Sequence, residues 1–226
     1  MDNTHDGSIA ARLRGVRASL PERVRLVAVS KFHPVEALRE AYDAGQRIFG
    51  ESRAQELAAK AAVLPDDIEW HFIGHLQTNK VRPVVAAATV IQSVDSLRLL
   101  RAIDAEARRA GRCIDVLLQV HVAREETKFG FDPDELPAAA TEALTLDGVR
   151  VTGIMGMASN TDDTDRVADD FRRIRAAFDD LAAGAMAAND SFRTVSMGMS
   201  HDRDIAVSCG STMVRVGTDI FGEREY

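Results

Sequence analysis

The sequence predicts an α/β fold, a closed (β/α)8 TIM barrel of parallel strands with an extra helix ahead of the first strand. Three observations lead there. Eight short apolar runs alternate with eight stretches of helical periodicity along the 226 residues. No two of the runs are joined by a hairpin signal, so the strands are parallel and the helices are their crossovers. Successive strands begin about 27 residues apart, the length of one βα unit. Eight even units favour closure over an open, doubly wound sheet. No linker or shift in composition divides the chain, so residues 1–226 read as a single domain.

The elements follow in order. Ile9, Leu13, Val16 and Leu20 recur at helical spacing and make the extra N-terminal helix. The first strand covers 23–31, β-branched at alternate positions, and the His33-Pro34 step ends it before a helix begins. A helix over 35–44 is closed by Gly45. The second strand covers 47–51, and Ser52 starts an alanine-rich helix to residue 63. Pro65-Asp66-Asp67 turns into strand three over 69–73, which Gly74 ends. A helix around 78–85 precedes strand four at 89–93. Asp95-Ser96 then caps a helix with Leu97, Leu100, Ile103 and Ala107 on one face.

Strand five, 114–122, is the most apolar of the chain and ends at His121. A loop over 124–131 carries Lys128 and Gly130, and a helix covers 133–144. Strand six is 149–155. Asp162-Asp163-Thr164-Asp165 reads as the start of the next helix, where acidic groups suit the exposed N–H dipoles. In that helix Val167, Phe171, Ile174, Phe178 and Leu181 step by 4, 3, 4 and 3. Strands seven and eight are 194–196 and 213–216.

Composition narrows the function. With 28 basic and 35 acidic residues the formal charge is −7, which argues against the phosphate-neutralising surface of a nucleic-acid binder. No apolar run approaches the length of a membrane span, and Met1-Asp2-Asn3-Thr4-His5-Asp6 is unlike a signal peptide. Cys113 and Cys209 form no disulfide framework and no CxxC pair, and are expected as buried small residues. A cytoplasmic protein that binds neither nucleic acid nor membrane is expected.

In a (β/α)8 barrel the site lies at the C-terminal strand ends. Here these are Lys31, Glu51-Ser52, Gly74-His75, Ser93, His121, Gly156, Gly198 and Gly217-Thr218. The lysine stands out, because the 28 basic residues comprise 24 arginines and only four lysines, at 31, 60, 80 and 128. A plain positive charge is served as well by arginine; only lysine can lose its proton and attack a carbonyl. The plainer alternative is a lysine snorkelling from a strand end. At a reference pKa of about 10.4, roughly one amine in 2,500 is neutral at pH 7, so burial and a nearby cation would both activate it.

The second informative stretch is Ser196-Met197-Gly198-Met199-Ser200, with His201-Asp202-Arg203-Asp204 opening a helix. Gly210-Ser211-Thr212 and Gly217-Thr218 follow, on either side of strand eight. Glycine and serine make ordinary turns, but hydroxyls and close-approach glycines after strands seven and eight are also what a phosphate needs. A Schiff-base lysine facing a phosphate cradle across one barrel mouth suggests pyridoxal phosphate. Lys31 would bond the aldehyde; Ser200, Gly217 and Thr218 would hold the phosphate. Arg215 could then face the pyridine nitrogen, and since arginine keeps its proton the ring would be a weaker electron sink than an aspartate would make it.

Val27-Ala28-Val29-Ser30-Lys31, Phe49-Gly50-Glu51, Trp70-His71-Phe72-Ile73-Gly74, Leu76-Gln77-Thr78-Asn79-Lys80 and residues 196–222 resemble the pyridoxal-phosphate homeostasis proteins. The resemblance runs from about Leu26 to the C-terminus. It implies a barrel like the N-terminal domain of alanine racemase, standing alone, with the cofactor held as an internal aldimine on Lys31. It also implies contacts from Ser200, Gly217, Thr218 and Arg215. The cofactor-binding set expected is Lys31, Ser52, Gly198, Ser200, Arg215, Gly217 and Thr218, with no catalytic residue and no metal. Two departures stand out. Ser52 follows Glu51 where the family commonly has asparagine, and His75 stands where proline is frequent. His71 and His75, four apart on a strand running into a loop, do not share a helical face as a metal pair would.

The function these features imply is a carrier: a monomer that buffers and delivers pyridoxal phosphate, in passing contact with apo-enzymes that need it. The alternative is a pyridoxal-phosphate-dependent amino-acid racemase, which would need a tyrosine base from a second domain. Only Tyr42, inside a helix, and Tyr226, the last residue, are present. A cofactor-free Schiff-base aldolase would leave the cradle and Arg215 with only a phosphorylated substrate to hold.

Overall fold

Alternating apolar runs and amphipathic segments close into a ring of eight strands, each hydrogen-bonded to the next in chain order. They are β1 (Arg25–Val29), β2 (Ile48–Glu51), β3 (Glu69–Phe72), β4 (Val90–Val94), β5 (Ile114–Gln119), β6 (Val149–Met155), β7 (Thr194–Ser196) and β8 (Met213–Val216). The computed structural model describes residues 7–122 and 129–223. All eight pairings are parallel, and β8 closes on β1 with Val27 opposite Arg215. Parallel strands are covered on both faces, which explains why β4 and β8 are buried at every position rather than alternately.

The outer layer is α1 (Ile9–Ser19), α2 (Val35–Asp43), α3 (Ala54–Ala61), α4 (Val81–Ala87), α5 (Leu97–Arg109), α6 (Leu136–Ala143), α7 (Thr164–Ala183), α8 (Arg203–Ser208) and α9 (Thr218–Phe221). α7 is the longest and follows its pattern closely. Asp163 caps it, accepting from the N–H groups of Asp165 and Arg166, and the stripe Val167, Phe171, Ile174, Phe178, Leu181 is buried on the barrel. Ser96 caps α5 as expected, accepting from Leu99 N. Among the described residues no helix is long and apolar enough to cross a membrane.

Several boundaries differ from the expected ones. β1 stops at Val29, so Lys31 lies beyond the strand on a turn whose next residue, Phe32, has φ 69°. β5 ends at Gln119 rather than at His121; beyond it Val120 forms an isolated bridge to Phe131. α3 begins at Ala54; Ser52 belongs to the loop before it and caps nothing. α9 had no signal in the sequence, since four residues are too few to show a period. It packs on α1, and Arg12 Nε donates to the Ile220 carbonyl at 2.7 Å. The cysteines are corrected too. Cys113 is exposed and Cys209 half-buried, because each lies in a helix-to-strand turn and not within a strand. Lys128 and Tyr226 lie outside the described residues.

Candidate functional site

Loops after strands β1, β2, β3, β6, β7 and β8 surround a cavity of about 240 Å³ at the C-terminal mouth of the barrel. Lys31, Ser52, Ser200, Arg215, Gly217 and Thr218 line it, together with Val29, Ile73, Met157, Met199 and His201. Six of the seven residues singled out in the sequence therefore converge. Gly198 does not line the cavity. Its φ is 97°, and a Cβ there would sit 2.6 Å from Ala206 Cβ, so it shapes the β7–α8 turn from behind. Gly217 faces the cavity for a related reason. A Cβ on it would lie 3.1 Å from the Val29 carbonyl and crowd the mouth.

The turn that carries Lys31 rests on a buried ion pair. Glu51, the last residue of β2, is fully buried, and Lys60 of α3 reaches it at 2.7 Å. The Lys60 ammonium also donates to the Ser30 carbonyl at 2.8 Å and to Glu56 at 3.3 Å. Ser30 Oγ donates to Glu51 Oε1 at 2.6 Å, while Glu51 Oε2 is buried without a hydrogen-bond partner. Burial pushes the Glu51 carboxyl up, against the pull of Lys60 and Ser30. Glu56 is held below its usual range: burial raises it, but the Phe32 N–H, at 2.9 Å, and Lys60 outweigh that. Glu51, Glu56 and Lys60 together fix Ser30 and Phe32, the two neighbours of Lys31.

The opposite wall is tied together by charge. Arg203, at the start of α8, donates to the Ser200 carbonyl at 3.0 Å and pairs with Asp219 in the first turn of α9. This joins the loop bearing Ser200 to the one bearing Thr218. Asp202 accepts from Met199 N at 2.5 Å, and Arg215 N donates to the Gly198 carbonyl at 2.9 Å. The Arg215 guanidinium is buried beneath the cavity. Nη1 donates to the Ser196 carbonyl and hydroxyl at 2.8 and 2.7 Å, and Nη2 to the Gly156 carbonyl at 3.1 Å. Burial lowers its pKa to about 10, partly offset by Asp202, so it remains a cation at neutral pH.

His71 and His75 diverge. His71 is fully buried inside the barrel, whereas His75 is exposed, bonded to Asp95 at 2.9 Å and tilted against the Phe129 ring with centroids 4.1 Å apart. Sequence reasoning assigned no role to Lys60, Glu56 or Met157, and although it singled out the stretch that holds Ser196, His201, Asp202 and Arg203 it assigned none of these four a contact. Lys60 was one of only four lysines, a faint signal. The others, the apolar Met157 among them, are ordinary residue types whose place at the mouth depends on the closed barrel.

Residues 5–225 match the family model for the N-terminal domain of alanine racemase. The pyridoxal phosphate homeostasis protein of Pseudomonas aeruginosa is 40% identical over 223 residues, 96% of this chain and 94% of that protein. That of Aquifex aeolicus is 39% identical over 203 residues, 89% and 88% of the two chains. The structure of PipY from Synechococcus elongatus without PLP superposes with a TM-score of 0.90 at 41% identity, covering 95% of this chain and all of that one. A second PipY structure, with PLP bound, gives 0.85. Alanine racemase from Streptomyces coelicolor, at 24% identity and TM-score 0.73, shares the fold over 95% of this chain and 57% of its own. With its barrel, its mouth lysine and these relatives, the chain belongs to the alanine racemase N-terminal-domain family, among the pyridoxal phosphate homeostasis proteins.

Proposed function

We propose that the mouth cavity holds pyridoxal phosphate, covalently through Lys31, and that the protein buffers this cofactor and delivers it to apo-enzymes. The observation that carries the reading is the convergence of one primary amine, three hydroxyls and a buried guanidinium on a single cavity. The donor set fits the group: Lys31 for the aldehyde, Ser200 and Thr218 with the Gly217 backbone for the phosphate, and Arg215 for the ring nitrogen. Ser52 adds a further hydroxyl at the end of the second strand. The names of the relatives and the cofactor in one PipY structure support the same reading.

When bound, the cofactor supplies an electron-accepting ring to whatever amine is attached to it. The residues here restrain that chemistry. Arg215 donates and does not accept, so it keeps the ring nitrogen unprotonated. Tyr42 is bonded to Asp67 at 2.7 Å and does not line the cavity, so it is no base for an amino acid's α-proton. Neither feature hinders exchange of one amine for another or release of the cofactor.

The loaded protein is therefore expected to reactivate an apo-enzyme dependent on pyridoxal phosphate. It should show no racemisation or α-deuterium exchange of alanine or serine above free cofactor. Exchange at ordinary turnover, on the order of 1 per second or faster, and lost in Lys31→Ala, would establish the racemase alternative.

A second expectation concerns the phosphate. Each hydroxyl bond to a charged phosphate is worth about 1.5–3 kcal/mol. Ser200→Ala with Thr218→Ala should weaken pyridoxal phosphate much more than unphosphorylated pyridoxal in equilibrium titrations. Equal losses for the two ligands would place the phosphate elsewhere.

A further inference from the structure

Arg215 is the upper end of a hydrogen-bonded chain that descends through the barrel interior to its opposite end. Its Nη1 donates to Ser196 Oγ at 2.7 Å, and Ser196 Oγ donates to Gln92 Oε1 at 2.6 Å. Gln92 Nε2 lies 2.6 Å from His71 Nδ1, and His71 Nε2 lies 2.8 Å from Glu69 Oε1. Ser196, Gln92 and His71, on β7, β4 and β3, are fully buried. Glu69 is partly exposed and opens on a cleft of about 330 Å³ at the N-terminal end of the barrel.

The donors and acceptors of this chain agree in one arrangement only. The Glu69 carboxylate can only accept, so His71 Nε2 carries a proton. A neutral His71 then accepts at Nδ1, which turns the Gln92 amide nitrogen toward it and the Gln92 oxygen toward Ser196. Ser196 gives its proton to that oxygen and receives one from Arg215. Every polar atom along the path is satisfied. A second proton, on Nδ1, would reverse it: Gln92 would have to turn its oxygen to His71 and its NH₂ to Ser196. Ser196 Oγ would then face two donors and have no acceptor for its own hydrogen, and the bond to Arg215 would be disturbed.

We propose that Ser196, Gln92 and His71 are positioning residues for Arg215, and that the proton load of His71 at the barrel floor is transmitted to the guanidinium at the mouth. The charges facing His71 are Glu69, Arg25 at 2.6 Å from Glu69, and Asp115, itself paired with Arg150 at 2.6 Å. Burial lowers the His71 pKa; Glu69 and Asp115 raise it and Arg25 lowers it, with burial prevailing. The chain is thus set in its neutral arrangement through the physiological range and reverses only below the ordinary histidine range. The consequence for a bound cofactor rests on the reading given above; the chain itself is testable in cofactor-free protein.

The test is ¹⁵N NMR of the full-length, cofactor-free protein across a pH titration, following the His71 ring nitrogens and the Arg215 side chain. His71 should be the neutral Nε2–H tautomer at pH 7 and titrate below the free-histidine value of about 6.5. The Arg215 signal should move with the same midpoint. Gln92→Glu places a carboxylate on each side of the ring and should make His71 an imidazolium at pH 7. Gln92→Leu should uncouple Arg215 from the His71 titration without adding charge. An Nδ1–H tautomer, an Arg215 signal flat through the His71 midpoint, or coupling that survives Gln92→Leu would each overturn the proposal. If a variant fails to fold, the wild-type titration decides alone. Failure of the protein to take up pyridoxal phosphate would count against the cofactor reading and leave this measurement standing.

Discussion

Lys60→Met is expected to destabilise the protein by about 3–5 kcal/mol, the cost of breaking one partner out of a buried ion pair. At about 2–4 °C per kcal/mol for a chain of this size, thermal melting should fall by roughly 6–20 °C. The reason lies in what is left behind. Glu51 is fully buried and already has one oxygen without a partner; removing Lys60 strips its other oxygen of the ammonium and leaves Ser30 alone. The sign of the pH dependence follows. Burial already raises the Glu51 carboxyl, and loss of Lys60 raises it further. A native state that binds the proton more tightly than the unfolded chain gains stability as pH falls through the raised pKa toward the unfolded value. The deficit of Lys60→Met should therefore shrink in mild acid. Adding Glu51→Gln should recover most of the loss at pH 7, since a neutral amide needs no counter-charge. A single-variant loss below about 1 kcal/mol, or no recovery in the double variant, would show that the pair does not bear on the fold as argued.

Borohydride reduction of protein loaded with pyridoxal phosphate is expected to fix one cofactor mass on the peptide containing Lys31, and none on Lys60, Lys80 or Lys128. Lys60 is the informative control: it is buried and spends its protons on Ser30, Glu51 and Glu56. Lys31→Arg keeps the charge but cannot form the covalent bond. It should abolish reductive labelling and weaken retention at least about 100-fold, or roughly 2.7 kcal/mol, leaving only contacts to phosphate and ring. Label on another lysine, or unchanged retention in Lys31→Arg, would move the attachment point and with it the interpretation of the cavity.

The sequence by itself determined the barrel and most of the mouth. Eight apolar runs of strand length with helical stretches between them admit few other topologies, and local periodicity survives folding because both faces of each parallel strand are buried. The mouth was legible because a barrel places its strand ends together, so that Lys31, Ser52, Gly217 and Thr218 could be grouped by topology, with Ser200 and Arg215 added by side-chain chemistry and the family resemblance. The tertiary structure decided everything that depends on partners distant in the chain. Lys31 stands on a turn, not a strand, because Glu51 and Glu56 hold its neighbours. Gly198 shapes a turn and stays outside the cavity because Ala206 lies against it. His71, which the sequence could only show as a histidine in an apolar run, is joined to Arg215 through Gln92 and Ser196, residues from two other strands. Periodicity reports which face a residue presents; it carries no record of which donor meets which acceptor once eight strands have closed, and it is this closure that sets the electrostatics of the site.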